Sequence, residues 1–414
     1  LKRHSMAHLQ EPAGPGSPMA RPRTPPHIGT LILLSGLSAL AMNIFLPSLP
    51  GMTAYFETDY RLMQLSVALY LGINAVVQIL IGPIADNMGR RPVILWGLVL
   101  FLIATIGCLL APTAEIFLLF RMGQAVVVVG MVLGRAAVRD IYPADQAASM
   151  IGYVTMGMAV VPMLGPIVGG FLDGLFGWTA NFWLLAVLGL ATLILTYVDF
   201  GETSHKSGKT LIAQFREYPE LLRSPRFWGF TLAAAFSAGC FYAFLGGAPF
   251  VGTEVYGLEP STLGIYFGAP AVGYFLGNYL SGRYSVRVGL NTMVLLGSLV
   301  CAAGIGISLA VMSSGAGSAE SFFGFMTLVG LGNGMVLPNA TAGALSVRPH
   351  LAATASGLNG ATMLAGGAGL SALAGALLTP ETGASPLLVI MFICAILSTV
   401  AIVLVILRER QLRL

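Results

Sequence analysis

The sequence predicts an all-α integral membrane protein of twelve transmembrane helices in two pseudo-symmetric six-helix bundles, and three observations carry the prediction. Of the 414 residues, 56% are hydrophobic and 9% charged, whereas an ordinary soluble domain is about 25% charged. Apolar runs recur at 28–49, 63–83, 92–111, 116–138, 147–172, 180–199, 227–250, 261–282, 290–312, 321–346, 352–379 and 386–408, each near the ~20 residues that cross hydrocarbon. Only helices and closed barrels satisfy backbone polar groups in lipid, and runs this long without period-2 alternation are helices. A polar break holding Glu202, His205, Lys206, Lys209, Arg216, Glu217, Glu220, Arg223 and Arg226 separates the first six runs from the last six. The chain therefore divides into a tail at 1–27, a bundle at 28–200, a linker at 201–226, a second bundle at 227–408 and a short tail at 409–414.

Residues 1–27 are rich in Pro, Gly, Arg and His with no apolar stretch of leader type, and read as a disordered cytosolic tail. The first span ends in Asn43-Ile44-Phe45-Leu46-Pro47, and the second carries Tyr70, Asn74 and Gln78. Between spans two and three, Gly82, Asp86, Gly89, Arg90 and Arg91 are compressed into a charged turn at a membrane face, a hinge candidate because glycine admits backbone conformations that a Cβ blocks. The fourth span contains Arg121 and Gln124, three residues apart, and ends at Arg139-Asp140. A charge inside a span is expensive and is expected to face a cavity or a partner. In the fifth, Gly165-Pro166-Ile167-Val168-Gly169-Gly170 joins a bend at proline to glycines that admit a close neighbour. Met150, Met156, Met158 and Met163 crowd the same span and read as filler, with no metal site expected. In the linker, Leu211 to Leu222 has helical apolar spacing and is expected to lie along the membrane surface. The second bundle contributes Phe236, Phe241, Tyr242, Asn333, Asn339 and Asn359 as aromatic and amide side chains within its spans.

Charge placement fixes an orientation. Arg90, Arg91, Arg135, Arg139, Lys206, Lys209, Arg283, Arg287, Arg348 and Arg408 fall on the side of both termini, against Arg61 on the other side, so the termini are expected in the cytosol. A shift of 200 residues lays Gly82 on Gly282, Gly89 on Gly289, Gly130 on Gly330, Gly134 on Gly334 and Gly169 on Gly369, which predicts a repeat with a central site near mid-membrane. Cys108, Cys240, Cys301 and Cys394 sit within apolar runs at unrelated spacings and read as core residues.

The G-x-x-x-D-x-x-G-R-R turn at Gly82 to Arg91, the R-x-x-Q pair Arg121/Gln124 and the G-P-x-x-G-G run at Gly165 to Gly170 resemble motifs of the major facilitator superfamily of secondary transporters. At finer grain, residues 28–408 resemble the bicyclomycin/chloramphenicol-resistance family of drug exporters. That resemblance rests on Asn43 to Pro50, Gln64 and Gln78, Arg139-Asp140-Ile141-Tyr142, Ala248-Pro249-Phe250-Val251 and Leu337-Pro338-Asn339. It implies a bacterial inner-membrane exporter, not an enzyme, working by alternating access and proton antiport without cofactor or metal. Its partners are then a small amphiphilic substrate, protons and the lipid bilayer, with no nucleic acid and nothing requiring more than a monomer. It implies a substrate site among Asn43, Phe45, Tyr70, Asn74, Gln78, Arg121, Gln124, Phe236, Tyr242, Asn333 and Asn339. It implies conformational elements at Gly82 to Arg91, with Asp86 as a latch, at Arg139/Asp140 and at Gly165 to Gly170.

One departure qualifies the implied chemistry. The family pattern places an acid where this chain has Asn43 and a tyrosine where it has Phe45. An amide cannot titrate, and the five histidines all lie in tails or loops. An exporter or facilitator of one metabolite, an amino acid or organic anion with weak or no proton coupling, is therefore the alternative expectation. In either case Arg121 without a carboxylate is expected to leave the cavity electropositive.

Overall fold

A computed structural model describes residues 26–141, 161, 164–203, 218–348 and 351–412. Among these the chain is helical throughout. The first span is α1 (Ile28–Asn43), a short 3-10 turn over Leu46–Ser48 and α2 (Leu49–Tyr55), the turn falling where Pro47 removes a helix donor. Next come α3 (Tyr60–Met88) and α4 (Arg90–Leu110), then α5 (Ala114–Gln124) and α6 (Val128–Ile141) joined by a 3-10 turn. Helices α7 (Leu164–Phe176) and α8 (Thr179–Asp199) complete the first half. After α9 (Tyr218–Leu222), the second half holds α10 (Pro225–Phe250), α11 (Pro260–Tyr266), α12 (Gly268–Val288), α13 (Leu290–Ser313), α14 (Ala319–Ser346), α15 (Ala352–Leu377) and α16 (Ser385–Leu412).

Among the described residues, ten stretches are long and apolar enough to cross a membrane. The other two expected spans differ for distinct reasons. The eighth is interrupted at Phe267 between α11 and α12, and Asn278, Arg283 and Arg287 lower its apolarity. Most of the fifth, with Met150, Met156, Met158 and Met163, lies outside the described residues, as does 211–217 of the expected surface helix. All four cysteines are buried thiols.

The charged turn is tighter than expected. Helix continues through Gly82 to Met88 and resumes at Arg90, so one residue, Gly89, carries the whole reversal at φ +95° and ψ 150°. That region is open essentially to glycine alone. Two hundred residues later Gly289 joins α12 to α13 at φ +89° and ψ 150°, so the repeat offset holds in backbone geometry.

Two acids at the end of α8 tie the first half together at this face. Asp199 Oδ2 accepts from the His27 amide at 2.7 Å and from Thr30 Oγ1 at 2.6 Å, at the start of α1. Glu202 accepts from the amides of Arg90 (2.9 Å) and Arg91 (3.3 Å) at the start of α4. Each carboxylate thus meets the positive end of a helix dipole and amides that have no partner within their helix. Arg91 Nη2 returns a hydrogen bond of 2.8 Å to the Tyr197 carbonyl.

In the second half, Gly273 and Gly277 of α12 face Gly330 and Gly334 of α14, where any added Cβ would strike the opposite backbone. This is backbone-to-backbone packing by small residues at four-residue spacing. The two halves meet at the face opposite the termini. Tyr60 Oη donates to the Gly246 carbonyl (2.8 Å), and Gln64 Nε2 donates to the Ser371 carbonyl (2.6 Å) and Oγ (2.8 Å). Gly170 abuts the Pro260 carbonyl, and Gly264 abuts that of Pro166. At the terminal face, Gly82, Gly282, Gly289 and Gly357 have open space where a Cβ would stand.

Replacing Glu202 by Ala leaves the first amides of α4 without their acceptor and is expected to cost about 1–2 kcal/mol. A lower melting temperature of the detergent-purified protein checks this, with Glu202→Gln falling between the two; an unchanged melting temperature in Glu202→Ala would refute the cap.

Candidate functional site

A cavity of about 340 Å³ lies between the halves. Ser38 and Met42 reach it from α1, Asn74 and Gln78 from α3, Met131 from α6 and Pro166 from α7. Phe241, Tyr242 and Leu245 reach it from α10, Phe267, Pro270 and Tyr274 from the eighth span, Asn333 and Leu337 from α14, and Met363 and Leu364 from α15. No lining side chain among the described residues is charged. The walls come from residues at helical spacing, such as Ser38/Met42 and Pro270/Tyr274, four apart on one face.

The polar groups are few and oriented. Asn74 is 5% exposed and its Oδ1 has no protein partner, which leaves an acceptor at the wall. Asn333 Oδ1 accepts from the Ser237 hydroxyl. The same contact fixes the amide so that its Nδ2 is free to donate. A concave, mostly apolar space with several convergent polar atoms is what a small-molecule site requires.

Of the residues expected to bind substrate, Asn74, Gln78, Tyr242 and Asn333 come together here. Phe45, Tyr70, Arg121 and Gln124 form a separate cluster inside the first half, and Asn43 does not line the cavity. Arg121 is 1% exposed, with its guanidinium between the faces of Phe45 (4.3 Å) and Tyr70 (4.2 Å). Its Nη1 donates to Gln124 Oε1 at 2.7 Å, and its Nη2 to the Ala41 carbonyl at 2.8 Å. Gln124 Nε2 passes the chain on to Thr105 Oγ1 (2.8 Å), which donates to the Phe101 carbonyl (2.7 Å). Aromatic faces, a carbonyl and an amide therefore compensate this cation, and no acid among the described residues touches it. Asn43 is buried, with both amide atoms unpartnered.

Phe236 stands in a groove between α10 and α16. Asn339 Nδ2 donates to Ser281 Oγ (2.8 Å) and to the Met335 carbonyl (2.7 Å), and so joins α14 to α12. Asn359 Nδ2 faces Thr341 Oγ1 at 3.4 Å. Among the expected conformational elements, Gly169 packs on the Ile44 carbonyl, Gly165 near Leu40, and Gly170 and Pro166 on the eighth span. The side chains of Asp86, Arg139 and Asp140 lie outside the described residues. Sequence reasoning missed Ser38, Met42, Met131, Phe267, Tyr274 and Met363. The four-residue spacing of Pro270 and Tyr274 was the available signal, masked by the weak apolarity of the eighth span.

Residues 31–372 match the family model described as Major Facilitator Superfamily. The chain is 27% identical over 379 residues to a bicyclomycin resistance protein homologue of Haemophilus influenzae, covering 90% of this chain and 94% of the relative. It is 30% identical over 333 residues to a chloramphenicol resistance protein of Pseudomonas aeruginosa, covering 78% of each. In fold it is similar to a bacterial homologue of the human lysosomal transporter Spinster, crystallised inward-facing and occupied. That likeness has a TM-score of 0.71 at 19% identity, over 92% of this chain and 96% of the other.

Changing Gln124 to Leu strands Arg121 Nη1 in a closed site, while Thr105 keeps its bond to the Phe101 carbonyl, and is expected to cost about 1–3 kcal/mol. Thermal unfolding of the purified variant measures it; an unaltered midpoint would mean that Gln124 does not help to hold the buried cation.

Proposed function

The chain belongs to the Major Facilitator Superfamily, and from that premise we propose that it exports small, uncharged amphiphilic molecules of the antibiotic class by alternating access. The observation that carries this reading is the lining of the central cavity: apolar and aromatic walls, the polar groups Ser38, Asn74, Gln78, Tyr242, Tyr274 and Asn333, and no charged side chain among the described lining residues. Relatives named for bicyclomycin and chloramphenicol resistance agree with it.

The protein is a multi-pass membrane transporter; the inner membrane and cytosolic termini are our assignment, supported by the side on which lysine and arginine concentrate. In that orientation the cavity is closed toward the outside by Tyr60, Gln64 and the Gly170/Gly264 seam. Substrate enters from the cytosol or inner leaflet, Asn74 Oδ1 accepts from a donor on it, and Asn333 Nδ2 donates to an acceptor. Export then requires the seam to part while the terminal face closes. Gly82 and Gly282, with free space beside them, are suited to that approach.

Electrostatics narrows the cargo. Arg121, enclosed with only neutral partners in the half that supplies Asn74 and Gln78 to the cavity, makes a lipophilic cation a poorer passenger than a neutral or anionic molecule. We assign proton antiport as the coupling. Asn43, however, favours a second reading, a carrier of one metabolite with weak or no proton coupling.

Two measurements check these readings. In proteoliposomes, Asn333→Leu and Gln78→Leu are expected to lower transport of a neutral phenicol about 10-fold, the loss of one good hydrogen bond; a cationic dye as best substrate would refute the cargo assignment. In the same vesicles, wild type is expected to accumulate phenicol only under an imposed pH gradient. Transport of a single metabolite, gradient-dependent only in Asn43→Asp, would replace the antiport reading with the second one.

A further inference from the structure

We propose that the groove between α10 and α16 binds one anionic phospholipid, its phosphate against Arg226 and Arg408 and one acyl chain along the groove. The space is about 590 Å³ and shares no lining residue with the central cavity. It exists because Gly229 brings the two helices together: a Cβ there would run into Val405. Its walls are Leu232, Phe236, Val400 and Leu404, with Val400 and Leu404 47% and 60% exposed toward hydrocarbon.

The dimensions suit one leaflet. From Arg226 to Phe236 the helix rises about 15 Å, half of the ~30 Å hydrocarbon thickness. Arg226 opens α10 and Arg408 lies in the last turns of α16, so both stand at the terminal face. Trp228, whose Nε1 donates to the Leu222 carbonyl at 2.8 Å, is fixed beside them at the depth where headgroups lie.

Charge selects the headgroup. Arg226 pairs with Glu409 at 2.8 Å, and Asn291 Nδ2 donates to the other oxygen of Glu409 at 2.6 Å. Exposed Arg408 has no ion-pair partner among the described residues. Two arginines and one glutamate leave a single positive charge at the lip of an apolar groove, which one phosphate of net charge −1 neutralises. A zwitterionic lipid would bring its own cation to the same place.

The test is lipid-dependent stability of the full chain in detergent, with phosphatidylglycerol against phosphatidylcholine. Phosphatidylglycerol is expected to raise the melting temperature of wild type further than phosphatidylcholine does. The difference should be lost in R226Q/R408Q and kept in R283Q/R287Q, two arginines on the same face outside the groove. Arg408→Gln alone, which breaks no internal ion pair, should weaken phosphatidylglycerol binding about 10-fold by native mass spectrometry. Equal loss in the R283Q/R287Q control, no loss in R226Q/R408Q, or the full effect from glycerol phosphate without acyl chains would overturn the proposal. None of these readouts depends on what the central cavity carries.

Discussion

Spans five and eight touch backbone to backbone, with Gly170 on the Pro260 carbonyl and Gly264 on that of Pro166, and the geometry of the cavity follows from that contact. Side chains here would hold the halves apart, so the seam exists only because both strips are glycine. Ile44, against Gly169, locks the end of span one into the same layer. With this face sealed, the space between the halves has a floor. Alternating access needs an interface that can close tightly yet release as a unit. Glycine strips suit both demands, because their contact energy is dispersion and weak polar contact rather than buried ion pairs.

Arg121 shows how a membrane interior tolerates a charge without an opposite charge. Phe45 and Tyr70 present their faces to it, and Ala41 and Gln124 accept its protons. Asn43, buried in the same half with both amide atoms unpartnered, is an amide at the position where the resemblance leads one to expect an acid. Among the described contacts of Arg121, none is to a carboxylate.

At the terminal face the first half is held as one body. Asp199 and Glu202, three residues apart, cap α1 and α4. A rocking motion transmits movement only if its helices move together, and these caps join the starts of α1 and α4 to the end of α8. The second half reaches the same end by another route, the glycine ladder between α12 and α14. The repeat is thus pseudo-symmetric in path and unequal in what stiffens each copy.

Much of this was legible in the chain. Length and apolarity of the runs fix the spans, because lipid leaves the backbone no other way to satisfy itself. The 200-residue offset between Gly89 and Gly289 was readable, and both adopt the same glycine-only conformation. The spacing of Arg121 and Gln124 already put the two on one face, since three residues make most of a helical turn. Tertiary structure alone decided the rotation of each helix about its axis. That rotation turned Arg121 inward to the Ala41 carbonyl, 80 residues away, and brought Tyr274 to the cavity wall. It likewise supplied the cap of α4 from Glu202, 112 residues beyond Arg90. Local sequence encodes where a helix runs and which residues share its face. Which face meets which neighbour is settled by packing among all twelve, and no single span contains that information.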